Sequence, residues 1–315
     1  MTDPDLLTLD AVKAAAERIK PYVSETPIVP LTPTGIGLKA ESLHPIGAFK
    51  IRGAFNAILR LGEAERRRGV VAHSSGNHAQ GVAYAARALG IPSVIVMPTN
   101  VSPVKLAATK ALGAEVHLVS AAERASKFES LSRERGLIQV PPFDSLAIMA
   151  GTGTIGLEIL KARPDVKTVL APVSGGGLLG GISAAIARAA PGVAVIGVEP
   201  EFANDAAMSF REGHIVSLST EETARTIADG LRVPQLGRLP YANIRAYTRD
   251  IITVTEDEIK AAMKKIAAEA RLVAEPSGAV ALAGALKLGF DSKTTIAVLS
   301  GGNVELRLYA SILAG

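Results

Sequence analysis

Cysteine and tryptophan are both missing from the 315 residues. Without cysteine there are no disulfides and no thiolate metal sites, and the chain is compatible with a reducing compartment. Aromatic residues make up only 4% of the chain. Ala, Val, Ile, Leu and Gly must therefore carry the core, as they do in packed α/β layers. No apolar run approaches the roughly 18 residues that a membrane span needs. The N-terminus shows no basic-then-apolar leader. Neither sign of charge is in large excess, with 34 Lys and Arg against 30 Asp and Glu and a formal net charge of +4. The one basic run, Arg66-Arg67-Arg68, is followed by Gly69 and an apolar stretch, which makes it a solvated helix end rather than a nucleic-acid patch. These absences point to a soluble, cytoplasmic chain with no nucleic-acid and no membrane partner. Its length suits one large or two moderate domains.

What is present is alternation. Apolar spacing predicts helices over 9–20 and 53–61. From residue 69 it predicts strand 70–73, helix 76–89, strand 93–97, helix 103–112, strand 115–119 and helix 121–135. A second series begins with helix 155–161, strand 168–173 and a helix reaching 190. Strands follow at 195–198, 251–254 and 295–299, with helices over 256–270, 277–288 and from 304 onward; 211–246 reads as irregular. Strand–helix alternation implies parallel strands with right-handed crossovers. Two open α/β layers result, with a cleft between them where C-terminal strand ends conventionally hold ligands.

Four stretches carry chemistry. Lys50 stands in Gly47-Ala48-Phe49-Lys50-Ile51-Arg52-Gly53-Ala54, just behind a glycine and an aromatic residue. Ser74-Ser75-Gly76-Asn77-His78, Ser174-Gly175-Gly176-Gly177 and Ser300-Gly301-Gly302-Asn303 are loops of small polar residues. One amine could hold an aldehyde, and such loops could hold a phosphate and a ring. Gly175-Gly176-Gly177-Leu178-Leu179-Gly180 also follows a strand, opens a helix, and precedes a strand ending in Glu199. That is the context of a dinucleotide fingerprint, so a nicotinamide-dependent oxidoreductase is the reading from a different class. Gly151-Thr152-Gly153-Thr154-Ile155-Gly156 has the same spacing without a strand before it. Backbone N–H groups at a helix N-terminus bind a single phosphate as well as a pyrophosphate, and glycines can also serve tight helix–strand packing alone.

These motifs, together with Thr253-Val254-Thr255-Glu256-Asp257-Glu258-Ile259 and Glu275-Pro276-Ser277-Gly278, occur in an order that closely resembles one family. It is the fold-type II pyridoxal 5′-phosphate (PLP) enzymes, within them the serine/threonine dehydratase and serine racemase group. The resemblance runs from about Leu9 to the end of the chain. It implies an α/β fold like that of the tryptophan synthase β chain: two open, twisted, mostly parallel sheets flanked by helices, with the cofactor in the interdomain cleft. Residues 1–60 and 148–315 would form a large PLP-binding domain and residues 61–147 a small one. A homodimer is the family expectation.

The resemblance also implies roles. Lys50 would carry the cofactor and then act as base on the substrate Cα proton, helped by the lowered pKa of a buried lysine. Phe49 would pack on the ring, and Asn77 would bond its 3-hydroxyl. Ser174, Gly175, Gly176, Gly177 and Leu178 would bind the phosphate. Ser300 would meet the pyridine nitrogen, a neutral partner that suits loss of a β-leaving group. Ser75, Gly76, Asn77 and His78 would present backbone N–H groups to the substrate carboxylate, and Ser75 could serve as a second acid/base for racemisation. In Glu199-Pro200-Glu201-Phe202-Ala203-Asn204-Asp205, the racemase-like branch implies a divalent cation on Glu199, the Ala203 carbonyl and Asp205. Oxygen ligands suit Mg²⁺, or Ca²⁺ or Mn²⁺; Asp205 could instead cap the following helix. His44, Ala48 and Thr152 depart from the family's common residues, which leaves substrate side-chain preference open. The implied activity is that of a lyase taking a β-hydroxy-α-amino acid of the L-threonine or L-serine type to a 2-keto acid and ammonia. Serine racemisation and dehydration of 3-hydroxyaspartate or phenylserine are alternatives.

Overall fold

The protein is described by a computed structural model covering residues 4–74, 76–120, 122–289 and 291–315. Its described strands fall into two sheets. β1 (Ile28–Pro30) and β2 (Gly37–Ala40) pair antiparallel. β3 (Val70–His73), β4 (Ser93–Pro98), β5 (Glu115–Val119) and β6 (Ile138–Gln139) make a parallel sheet in the order β5-β4-β3-β6. β7 (Thr168–Pro172), β8 (Ala194–Pro200), β9 (Asp250–Val254) and β10 (Thr295–Leu299) join the first pair in the order β1-β2-β10-β7-β8-β9. From β2 to β9 every neighbour in that larger sheet is parallel. The chain thus starts in the larger sheet, builds the smaller one, and returns.

The helices are α1 (Leu9–Ile19), α2 (Lys50–Leu59), α3 (Glu63–Arg68), α4 (Asn77–Ala88), α5 (Pro103–Ala111), α6 (Arg124–Arg135) and α7 (Leu146–Ala162). They continue as α8 (Gly177–Ala189), α9 (Asp205–Glu212), α10 (Thr220–Thr223), α11 (Arg238–Tyr247), α12 (Glu256–Lys265), α13 (Pro276–Leu288) and α14 (Leu306–Ala314). Strands covered by helices on both faces should be apolar throughout. β4, β7 and β10 are buried along their whole length and are rich in Val, Ile and Leu. β5, at the edge of its sheet, exposes Glu115 and Leu118.

The periodicity located most of these elements and missed others for physical reasons. β1, β2 and β6 span only two to four residues, too short for a period-two signal. α7 begins at Leu146, not 155. Gly151 and Gly153 look like helix breakers, yet here they are contact points: a Cβ on Gly151 would lie 2.6 Å from the Arg52 carbonyl, and one on Gly153 would lie 2.8 Å from that of Gly181. Small residues let α7 approach α2 and α8 backbone to backbone. α2 likewise starts at Lys50 rather than 53. Within 211–246, α10 and α11 interrupt a stretch that is otherwise irregular as expected, and a π-turn over Ile266–Ala270 ends the helical run after α12.

Candidate active site

Lys50 is the first residue of α2, and the loop before it is laced to the loop after β10. Phe49 N–H donates to the Ser300 carbonyl at 3.0 Å, and Gly302 N–H donates to that of Gly47 at 2.9 Å. Ala48 and Gly301 form an isolated antiparallel bridge. The Asn303 amide donates to the Ile46 carbonyl at 2.7 Å. Lys50 is half-buried, and its Nζ donates to the Pro142 carbonyl at 2.9 Å and lies 5.0 Å from the Phe49 ring centroid. Burial pushes its pKa from 10.5 down to about 8. A substantial share of the amine is then neutral near physiological pH, as attack on an aldehyde requires.

The glycine loop meets Lys50 through its neighbours. Pro142 is followed by Phe143, whose ring lies against Gly175 closely enough that a Cβ there would sit 2.5 Å from Cδ1. Gly176 is left-handed at φ +86° and is the N-cap of α8, so no side chain caps that helix. Ser174 is also left-handed, at φ 56°, and its buried hydroxyl has no partner. Leu178 is buried at the second position of the helix. An uncapped 13-residue helix with free N-terminal N–H groups, glycines allowing close approach, and an orphaned hydroxyl fit a cofactor phosphate.

The loop after β3 completes the cluster. Asn77 and His78 open α4, where backbone N–H groups lack helical partners. The Gly76 N–H is already engaged by Ser74 Oγ at 3.2 Å. The His78 ring is buried and its Nε2–H donates to the Val140 carbonyl at 2.9 Å. Burial, reinforced by the Lys50 charge, pushes its pKa down to about 3, so the ring is a neutral packing group. Asn77 bonds across the cluster to Glu275 at 2.6 Å and to Asn303 at 2.8 Å. Ser75 lies outside the described residues. Ser300 is buried beside Phe49 at the end of β10.

Glu199 is the penultimate residue of β8 and Asp205 opens α9, both fully buried. Glu199 Oε2 accepts from Ala207 N–H at 2.9 Å, while Oε1 and both Asp205 oxygens have no partner. Asp205 therefore does not cap its helix through a hydrogen bond. Burial and the neighbouring Asp205 charge raise the Glu199 pKa, and burial raises Asp205 to about 7. Glu199 is thus buried, with one oxygen bonded to the start of α9 and the other without a partner. Among the described residues no group of three or more His, Cys, Asp or Glu side chains gathers to hold a metal; these two carboxylates would need backbone oxygen to complete a site.

The departing residues resolve differently. His44 bonds Glu41 at 3.1 Å inside a buried ionic cluster. Ala48 is buried at its bridge. Thr152 Oγ lies 2.8 Å from the Gly177 carbonyl, in the α7–α8 contact beneath the glycine loop. Pro142, Phe143 and Asn303 were missed as site residues. Only Asn303, next to a recognised glycine pair, carried a local signal.

The profile of the family described as pyridoxal-phosphate dependent enzyme matches residues 19–301. The chain belongs to this family. PLP is its cofactor, and the sheets just described are those of fold-type II. The chain is 37% identical to a serine racemase of Schizosaccharomyces pombe, over 98% of each chain. It is 38% identical to an L-threo-3-hydroxyaspartate ammonia-lyase of Saccharomyces cerevisiae, over 98% of this chain and 97% of that one. The solved structure of the processed form of threonine deaminase isoform 2 from Solanum lycopersicum superposes with a TM-score of 0.91 at 34% identity, covering 97% of this chain and 86% of the other. The family match sets aside the nicotinamide-dependent reading of the chain.

Proposed function

We propose that the protein is an ammonia-lyase that converts a β-hydroxy-α-amino acid of the L-threonine or L-serine type to a 2-keto acid and ammonia. The observation that carries this is the Lys50 amine, bonded to the Pro142 carbonyl next to the Phe143 that packs on the glycine loop, with its pKa lowered to about 8. Bound PLP supplies the electron sink that acidifies the substrate Cα–H. The chain supplies the rest. Lys50 Nζ takes the Cα proton, and the Pro142 carbonyl, 2.9 Å away, accepts a hydrogen bond from the resulting ammonium. The N-terminal N–H groups of α4 face the substrate carboxylate, and Ser174 with the N-terminus of α8 holds the phosphate. Ser300 offers a neutral hydroxyl to the ring nitrogen, so the ring is not held protonated by a carboxylate there. The β-hydroxyl leaves as water, and hydrolysis of the remaining enamine releases ammonia. Appearance of a 2-keto acid from L-threonine or L-serine with the purified, PLP-loaded protein tests this; a loaded protein that makes none from either overturns it for these substrates.

The S. pombe relative, named a serine racemase, supports a second reaction at the same site, amino-acid racemisation, with Ser75 proposed as the second acid/base that such a reaction needs. Ser75→Ala would then block D-isomer formation and spare elimination. Glu199, the Ala203 carbonyl and Asp205 are proposed to hold Mg²⁺, with Ca²⁺ or Mn²⁺ as rivals, because Glu199 Oε1 and both Asp205 carboxylate oxygens are buried without partners and oxygen is a hard ligand. A homodimer in the cytoplasm is the setting we expect; no described helix is long and apolar enough to cross a membrane.

A further inference from the structure

Glu275 opens the Glu275-Pro276-Ser277-Gly278 motif but has had no role so far. It is the N-cap of α13, where a carboxylate ordinarily accepts from the first-turn N–H groups. Here the side chain makes no such bond; the Gly278 and Ala279 N–H groups are met by the Glu275 backbone carbonyl instead. The freed carboxyl reaches 198 residues along the chain to Asn77 Nδ2, at 2.6 Å. It is buried, at 3% exposure. Space has been made for it: a Cβ on Gly301 would overlap Glu275 Oε1.

The direction of the hydrogen bonds in this cluster follows from one fixed acceptor. The Ile46 carbonyl can only accept, so the atom 2.7 Å from it is the Asn303 amide nitrogen. That same nitrogen donates to Asn77 Oδ1 at 2.8 Å. The Asn77 oxygen is thereby committed, and its nitrogen must face Glu275, where Oε1 accepts. One hydrogen of Asn77 Nδ2 remains for another partner. The Asn77 amide is thus clamped between the loop before Lys50, the loop after β10 and the start of α13.

We propose that Glu275 is a positioning residue for the cofactor: acting through Asn77, it aims the remaining amide hydrogen at the ring's 3-oxygen. This rests on the role of Asn77 proposed above. Burial, and then the nearby Asp229 charge, push the Glu275 pKa up to about 8. A neutral carboxyl still offers its C=O to Asn77, so a glutamine should replace it. Asp229 itself pairs with Lys105.

The test is the dissociation constant of PLP for the apo-protein, followed by absorbance, in the natural protein and in Glu275→Ala, Glu275→Gln, Asn77→Ala and the Glu275→Ala/Asn77→Ala double variant. One neutral hydrogen bond predicts that Glu275→Ala weakens PLP binding by about fivefold to tenfold. Glu275→Gln should stay within about twofold of the natural protein, since its amide oxygen also accepts. The double variant should bind no more weakly than Asn77→Ala alone, because the two residues act in series. Natural affinity in Glu275→Ala, or losses that simply add in the double variant, overturns the inference. Natural affinity in Asn77→Ala overturns the Asn77 contact, and the inference with it.

Discussion

Arg52 and Glu41 form a buried bidentate pair, with Nε 2.7 Å from Oε2 and Nη2 2.9 Å from Oε1. Glu158 grips the same guanidinium from its other edge, at 2.5 Å and 2.8 Å, and also pairs with Lys39. Two cations and two carboxylates thus balance in the interior, two residues beyond Lys50 on α2. Burial alone would raise the Glu41 pKa. The Arg52 charge and the hydrogen bonds from His44 and Arg52 more than offset it and hold the carboxyl below the usual range. The cluster ties the lysine-bearing helix to β2 and α7.

Arg52→Met would leave the two carboxylates of the cluster with only one of their two cations, Lys39. Loss of one partner of such a network costs about 3–5 kcal/mol. Chemical denaturation should show that loss of stability, together with weakened PLP binding. Because the Glu41 pKa is depressed by folding, its contribution is present above the ordinary carboxylate value and is lost as pH falls below it.

Lys50→Ala removes an amine whose one recorded hydrogen bond is to the Pro142 carbonyl. Turnover should be abolished and the yellow colour of covalently held PLP lost, while the thermal midpoint of the apo-protein changes little. In the natural protein, attachment of PLP needs the neutral amine. Its rate, followed by stopped-flow absorbance, should rise with pH and level off above about 8 rather than near 10.5.

Glu199 and Asp205 both have raised pKa values, so the sign is opposite to that of Glu41. Their charged forms are disfavoured in the fold, and stability is lost as pH rises from the ordinary carboxylate range through about 7. Bound Mg²⁺ would remove that penalty. Mg²⁺ should therefore raise the thermal midpoint more at pH 8 than at pH 5. Asp205→Asn should raise the midpoint of the metal-free protein at pH 8 and abolish the response to Mg²⁺. Equal shifts at both pH values would contradict the site.

Gly176→Ala would place a side chain at φ +86°, with its Cβ 2.7 Å from Leu236 and 2.8 Å from Pro240. The left-handed backbone alone costs about 1–3 kcal/mol for a non-glycine residue. Calorimetry should show a destabilised protein, and PLP titration a weakened phosphate site.

Lys50, Asn77, Ser174 and Ser300 stand out in the sequence because each sits in a short, ordered motif of small residues, and their roles are those proposed above. The parallel strands were legible because burial on both faces leaves continuous apolar runs, as in β4 and β10. The ionic cluster was not, since Lys39, Glu41, Arg52 and Glu158 are ordinary charged residues until three elements bring them together. Glu275 is only the first residue of a motif in the sequence, and the fold shows its carboxyl turned toward Asn77. The early start of α7 was not legible because sequence cannot distinguish a flexible glycine from one, like Gly151 or Gly153, that permits two helices to touch.

The most direct measurement is ammonia release by the PLP-loaded protein from L-serine, L-threonine, L-threo-3-hydroxyaspartate and L-threo-phenylserine, each with Mg²⁺ or with EDTA, alongside Lys50→Ala. Release from at least one substrate, matched by 2-keto acid and absent in Lys50→Ala, is the predicted result. No release from any of the four despite covalently bound PLP, or undiminished release by Lys50→Ala, would contradict the account.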